Sequence, residues 1–146
     1  MVNEIITAIA KALSGYSGYE VYTDTMEQGV EEPCFLLKFL SGERIEMLGD
    51  RCRIRSHFQI VFLAGTASAI NEMSESLPYD IRELKVDYTL NSKSESIRLN
   101  GTNIQCHADQ GEHTLVCLVD YIYTASVDED SDLMMTLIAN EEVKNG

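Results

Sequence analysis

Arg51, Arg53 and Arg55 stand at alternate positions in the stretch Asp50–Ala64, DRCRIRSHFQIVFLA, and His57 follows two residues later. In an extended chain successive side chains point to opposite faces, so this spacing places three guanidiniums and an imidazole on one face of a strand. A guanidinium is permanently charged, and its planar fork of donors matches carboxylate and phosphate oxygens. One reading is a solvated face paired with acidic neighbours across a sheet. A second is a docking stripe for an acidic partner surface, including a second copy of the same chain. Phosphate binding ranks third, and the first two stay open on sequence grounds. The run Asp128-Glu129-Asp130-Ser131-Asp132 offers the opposite charge. Arg51, Arg53, Arg55, Asp128 and Asp130 are therefore the candidate residues of a subunit or partner interface.

Other groups invite chemistry and fail on spacing. The same acidic run resembles the start of a calcium loop, but the required glycine position is Leu133 and the closing glutamate position is Ala139. A solvated charge run fits better. Cys106 and His107 are adjacent, and neighbours on a strand face opposite ways, so they do not share one metal ion easily. Cys106 and Cys117 come near each other if their strands form a hairpin. With no CxxC spacing, Cys34, Cys52, Cys106 and Cys117 read as reduced and mostly buried thiols. Asp120 lies in an otherwise apolar stretch, HTLVCLVDYIYTA. It is a candidate general base with a raised pKa, but a carboxylate hydrogen-bonded within the sheet or held at a subunit contact is the preferred reading. The histidines are His57, His107 and His113, and no GxSxG, HExxH, GxGxxG or GxxxxGK[ST] motif occurs. The sequence therefore assigns no catalytic residue, cofactor site or metal site.

The chain has 146 residues and a formal charge of −13, from 11 basic and 24 acidic side chains. That balance argues against a duplex-coating protein, which would show a basic footprint, and against a polybasic membrane-surface protein. The first residues, MVNEIITAIAKALSG, lack a basic lead, and Lys11 interrupts their apolar run, so no signal peptide is expected. No stretch approaches the roughly 18 apolar residues of a membrane span.

The elements that must position these residues follow from periodicity. Val2, Ile5, Ile6, Ile9 and Leu13 predict an amphipathic helix over Asn3–Ser14. Tyr19–Thr23 is a short strand and Cys34–Leu40 a second one; SGER at 41–44 reads as a turn. In the long strand, Cys52, Ile54, Ser56, Phe58, Ile60 and Phe62 form the face opposite the arginines, which predicts a buried side. Val61 and Leu63 make its end apolar on both faces. Thr66 or Ser68 caps a helix carrying Ala69, Ile70, Met73 and Leu77, and Pro78 is expected to break it and start a second short helix through Ile81 and Leu84. Lys85–Leu90 is a strand candidate and NSKSES at 91–96 a polar loop. Ile97–Ala108, with Gly101 as a candidate bulge, and His113–Ala125 form a hairpin. Leu133, Met134, Leu137 and Ile138 suggest a short helical turn. The expectation is a single α+β domain over 1–126, with an antiparallel sheet of about four to five strands carrying two main helices on one face. Residues 127–146 would be an acidic C-terminal tail with a short helix.

The succession of a short amphipathic helix, EEPCFLLKFL, LGDRCRIRSHFQIVFL, the helical NEMSESL, the hairpin GTNIQCHADQGEHTLVCLVDYIYTA and the tail LMMTLIANEEVK resembles the small tail-terminator-like proteins of phages and prophages of Gram-positive bacteria. The likeness covers nearly the whole chain, and EPCF, the LG-x-R entry to the long strand and LVDY in the hairpin are its most specific parts. Lys85–Ser96 is longer and more polar than the family pattern. The resemblance implies a non-enzymatic virion protein with no cofactor. Such proteins form a ring, usually hexameric, on the head-proximal end of the tail tube, stop tube polymerisation and present the surface that joins the capsid. The implied partners are further copies of the chain, the tail tube protein and a head–tail joining protein, with no specific nucleic-acid sequence and no membrane. The implied place is the virion tail, assembled in the bacterial host cytoplasm. Two alternatives remain at this level: another tail, neck or head–tail joining subunit, or a small intracellular enzyme or metal-binding protein using Asp120, His57 or the cysteines.

Overall fold

A computed structural model of the chain describes residues 2–16, 19–23, 32–49, 51–90, 92–126 and 136–137. The first helix, α1 (Val2–Leu13), buries Ile5, Ile9 and Leu13, which recur every fourth residue on one face. The short β1 (Glu20–Tyr22) pairs in parallel with β2 (Cys34–Glu46). β2 turns through Gly49, whose φ of 74° suits a residue without a Cβ, into β3 (Arg51–Leu63), its antiparallel neighbour. The expected turn at 41–44 is absent. β2 continues to Glu46 because every residue from Ser41 onward finds a partner on β3, and a bulge between Phe39 and Ser41 absorbs Leu40.

The second helix, α2 (Ala67–Arg82), starts at Thr66, whose Oγ1 accepts from the Ala69 amide at 3.1 Å. It runs unbroken through Pro78 instead of splitting there. Its buried residues Ile70, Met73, Leu77 and Ile81 keep one face in the core on both sides of the proline, and that packing outweighs the local breaker. β4 (Glu83–Leu90) follows directly and pairs with the first half of β5 (Lys93–Asp109). The loop expected at 91–96 is thus mostly strand. Leu90 and Lys93 are paired, and Ser92, at φ 67°, lies in the two-residue turn between them.

β5 changes partner half-way. Before Gly101 it pairs with β4, and from Gly101 on it pairs with β6 (Thr114–Ser126), with a register shift between Gly101 and Asn103. The bulge predicted at Gly101 is there. A Cβ at this position would stand 3.0 Å from Ile104 Cδ1 and 3.1 Å from Val119 Cγ2, so any side chain here presses on both. Where β5 departs, Ala125 and Ser126 of β6 pair with β7 (Thr136–Leu137). Leu137, one of the four residues whose spacing suggests a helical turn, is thus in a strand, and Leu133, Met134 and Ile138 lie outside the described residues. The rest of 127–146, with Asp128 and Asp130, lies outside the described residues.

Among the described residues the strand order is β1-β2-β3-β6-β5-β4, with β7 on β6 off this path. The α+β class stands. The sheet has more strands than expected, and the parallel β1 edge makes it mixed, not antiparallel throughout. Both helices share one core with the inner residues of the sheet, and Cys52, Phe58, Ile60 and Phe62 are all fully buried. Val61 and Leu63, on the other face, are half-buried. The phenol of Tyr121 donates to the Ile81 carbonyl and ties β6 to the end of α2. Tyr16 donates to the Asp80 carboxylate and ties the end of α1 to the same helix. The cysteines correct a further expectation. Cys106 and Cys117 face each other across β5 and β6, with Cα atoms 4.1 Å apart, and form a disulfide, while Cys34 and Cys52 are free and buried.

Candidate functional site

The sheet face away from the helices presents the candidate site. Register decides its rows. Ser41, His57, Asp120 and Asn103 form one row across β2, β3, β6 and β5. Glu43, Arg55 and Ile122 form the next, and then come Ile45, Arg53 and Thr124, with Arg51 at the end of the strand. The alternation expected of β3 therefore holds, and the three arginines share this face with His57.

The central row is fixed by one strong contact. His57 Nδ1–H donates to Asp120 Oδ1 at 2.6 Å, and Asp120 is only 8% exposed. A bond to a carboxylate settles which ring nitrogen carries the proton there. His57 Nε2 lies 3.7 Å from Glu43 Oε2, an electrostatic contact when the ring is charged. This is the hydrogen-bonded reading of Asp120. Ser41 stands beside His57 in the same row, so a Ser-His-Asp series is formally present. A nucleophilic triad needs Nε2 to take the serine proton. Here Nε2 faces Glu43, and no hydrogen bond joins Ser41 to His57 among the described residues. The His57–Asp120 bond ties β3 to β6 in register.

Beside this row opens a cavity of about 410 Å³. Leu40 and Leu118 supply apolar walls, both more than a third exposed. His57, Asn103, Gln105 and Asp120 supply polar ones, and Arg55 stands at the edge toward the stripe. Leu40 reaches this place because the bulge in β2 displaces it.

Two arginines outside the stripe are paired. Arg44 pairs with Glu46 at 3.3 Å and Arg98 with Glu83 at 3.2 Å. Arg51 and Arg53 are exposed and Arg55 is half-buried, and none of the three makes an ion pair among the described residues. Arg53 has Ile45 and Thr124 across from it, so the acidic cross-strand neighbours of the solvated-face reading are missing for that residue. Cys106 and His107 lie on opposite faces, as strand geometry requires, with Cys106 packed on the core. Among the described residues no group of three or more His, Cys, Asp or Glu side chains is placed to hold a metal ion, and no helix is long and apolar enough to cross a membrane.

The His57–Asp120 contact and the cavity walls are not legible as a site in the sequence. The one signal was Asp120 itself, the single charged residue in β6.

A family model described as phage tail terminator protein matches residues 4–133, from α1 to beyond β6. The chain belongs to the phage tail terminator family. No curated protein matches it. As a member of that family the chain is a structural component of a phage tail, one that works among other tail and head-joining proteins. The site described above is thus a feature of a tail protein: arginines without an ion pair among the described residues, beside an open, half-apolar cavity.

Proposed function

We propose that this chain caps the tail tube as a ring of its own copies, ends tube polymerisation and presents the surface to which the head-joining protein binds. It does so by contact alone, with no catalysed reaction and no cofactor, and it assembles in the host cytoplasm before it becomes part of the virion tail. Family membership supports the tail role. The observation that carries the contact is the stripe Arg51, Arg53 and Arg55, left without ion-pair partners among the described residues of a chain whose net charge is −13. Charges arranged this way set register and partner choice more than raw affinity. The division into a body over 1–126 and an acidic tail over 127–146 belongs to the same proposal, with Asp128 and Asp130 as the complement suggested by sequence.

The test mixes purified protein with growing tail tubes and counts capped ends by electron microscopy. The wild type is expected to cap the tubes and halt their growth. Arg53→Glu is expected to weaken capping about tenfold or more, and raised salt to weaken it further. Arg98→Glu, which breaks only the pair with Glu83, is expected to cap normally. If the wild type leaves tube growth unchanged, the capping role is wrong. Should Arg53→Glu cap as well as the wild type at every salt concentration, the stripe is a solvated face.

A further inference from the structure

We propose that the solvent face of α2 in one copy seats on the arginine-bearing sheet face of the next, with Tyr79 entering the cavity beside His57 and Glu75 and Glu72 meeting the arginine stripe. This rests on the ring reading above and deepens it, with the α2 ridge taking the place of Asp128 and Asp130 as the complement of the stripe.

α2 turns Ile70, Met73, Leu77 and Ile81 into the core, and its opposite side is a ridge of Ser68, Glu72, Glu75 and Tyr79, all exposed. Helical spacing puts these residues within one stripe. Tyr79 is 76% exposed, far more than any other large aromatic side chain among the exposed hydrophobics. Tyrosine suits a contact with one apolar and one wet side. The cavity offers both, with Leu40 and Leu118 for the ring and His57, Asn103 and Gln105 for the hydroxyl. The ridge is acidic. The only basic residue of α2 is Arg82 in its last turn, where Glu83 follows. Asp80 points elsewhere and holds Tyr16.

The spacings agree. Along a helix, Glu75 lies about 6 Å and Glu72 about 10 Å from Tyr79. Along a strand, Arg55 lies about 7 Å and Arg53 about 13 Å from His57. With Tyr79 seated at the His57 row, Glu75 comes to the level of Arg55, and Glu72 falls between Arg55 and Arg53. The two surfaces lie on opposite sides of the fold, because α2 packs on the inner face of the sheet and the arginines are on the outer face. A contact between unlike faces repeats from copy to copy and closes into a ring when the rotation allows.

The test uses the full chain, with particle mass measured by analytical ultracentrifugation and rings counted on tail tubes. Glu75→Arg, Tyr79→Ala and Arg53→Glu are each expected to lower assembly about tenfold or more, with an unchanged melting temperature because all three positions are exposed. Arg53→Glu combined with Glu72→Arg, the acidic residue nearest it in this docking, is expected to recover most of what Arg53→Glu loses. If Glu75→Arg and Tyr79→Ala assemble like the wild type, or the double variant is no better than Arg53→Glu alone, the α2 contact is wrong. Loss confined to Asp128→Arg with Asp130→Arg assigns the complement to the tail and overturns it too. Normal rings and capping in the α2 variants leave the capping role intact. Rings that depend on α2 but do not cap tubes support the contact and overturn the capping role. A wild type that forms no ring, alone or on tubes, overturns both.

Discussion

The phenol of Tyr121 lies fully buried in the sheet and donates to the Ile81 carbonyl, at the point where α2 gives way to β4. Burial raises its pKa well above the ordinary tyrosine value of 10.0. Burial also pushes Tyr123 up to about 12, and burial with the Asp80 hydrogen bond pushes Tyr16 up to about 12. All three are raised relative to the unfolded chain. Their contribution is therefore complete below about pH 10 and is lost as pH rises through the folded values. The expected outcome is a urea midpoint, followed by circular dichroism, that holds steady to about pH 10 and falls between pH 10 and 12. Tyr121→Phe should make that fall shallower while costing about 0.5–1.5 kcal/mol at neutral pH for the lost hydrogen bond. An unchanged alkaline slope would place the destabilising ionisation elsewhere. Phe58 makes a second point at this scale. It is fully buried and its ring stands 5.4 Å from Phe39 and 6.1 Å from Tyr121. Phe58→Ala should cost about 3–5 kcal/mol in the same assay. A loss of a few tenths would mean that the inner face of β3 is wrongly assigned.

At the scale of elements, the bend of β5 at Gly101 decides how the sheet curls over α2. The first half of the strand serves β4 and the second half serves β6. Gly101→Val must push against Ile104 and Val119, already 3.0 and 3.1 Å from an added Cβ. The expected cost is about 1–3 kcal/mol by thermal or urea unfolding. A stable variant would show that the bulge tolerates a side chain. Gly101 was readable because a glycine inside an alternating strand has few other uses. The strands over Ser41–Glu46 and Lys93–Ser96 were not. Ser41–Glu46 is exposed throughout and so carries no alternation of burial, and polar residues there look like a turn. Such strands are held by backbone pairing to a partner, which composition does not record. Pro78 misled in the opposite direction, since a local breaker was overruled by a buried face that continues past it. The arginine stripe was legible because period two is local. The His57–Asp120 contact was not, because it depends on the register of strands 63 residues apart in sequence.

For the whole molecule, the described core runs from Ile5 on α1 to Tyr123 on β6. Beyond it the described residues contribute only Thr136 and Leu137, paired with Ser126 and Ala125 at the end of β6. On the proposed division at residue 126, truncation after Ser126 removes a short stretch of strand pairing and a strongly acidic segment and leaves the described core in place. The expected loss is about 1 kcal/mol, which for a chain of this size is a fall in melting temperature of roughly 3–4 °C. An unfolded or aggregated product would mean that 127–146 is part of the body. Assembly of the truncated chain then separates the two sources of negative charge. The ridge of α2 is intact in it, whereas Asp128 and Asp130 are gone. If α2 meets the arginine stripe, the shortened chain still forms rings and still loses them with Glu75→Arg. If the tail is the complement, the shortened chain keeps its fold and its melting transition but stays monomeric on tubes that the wild type caps.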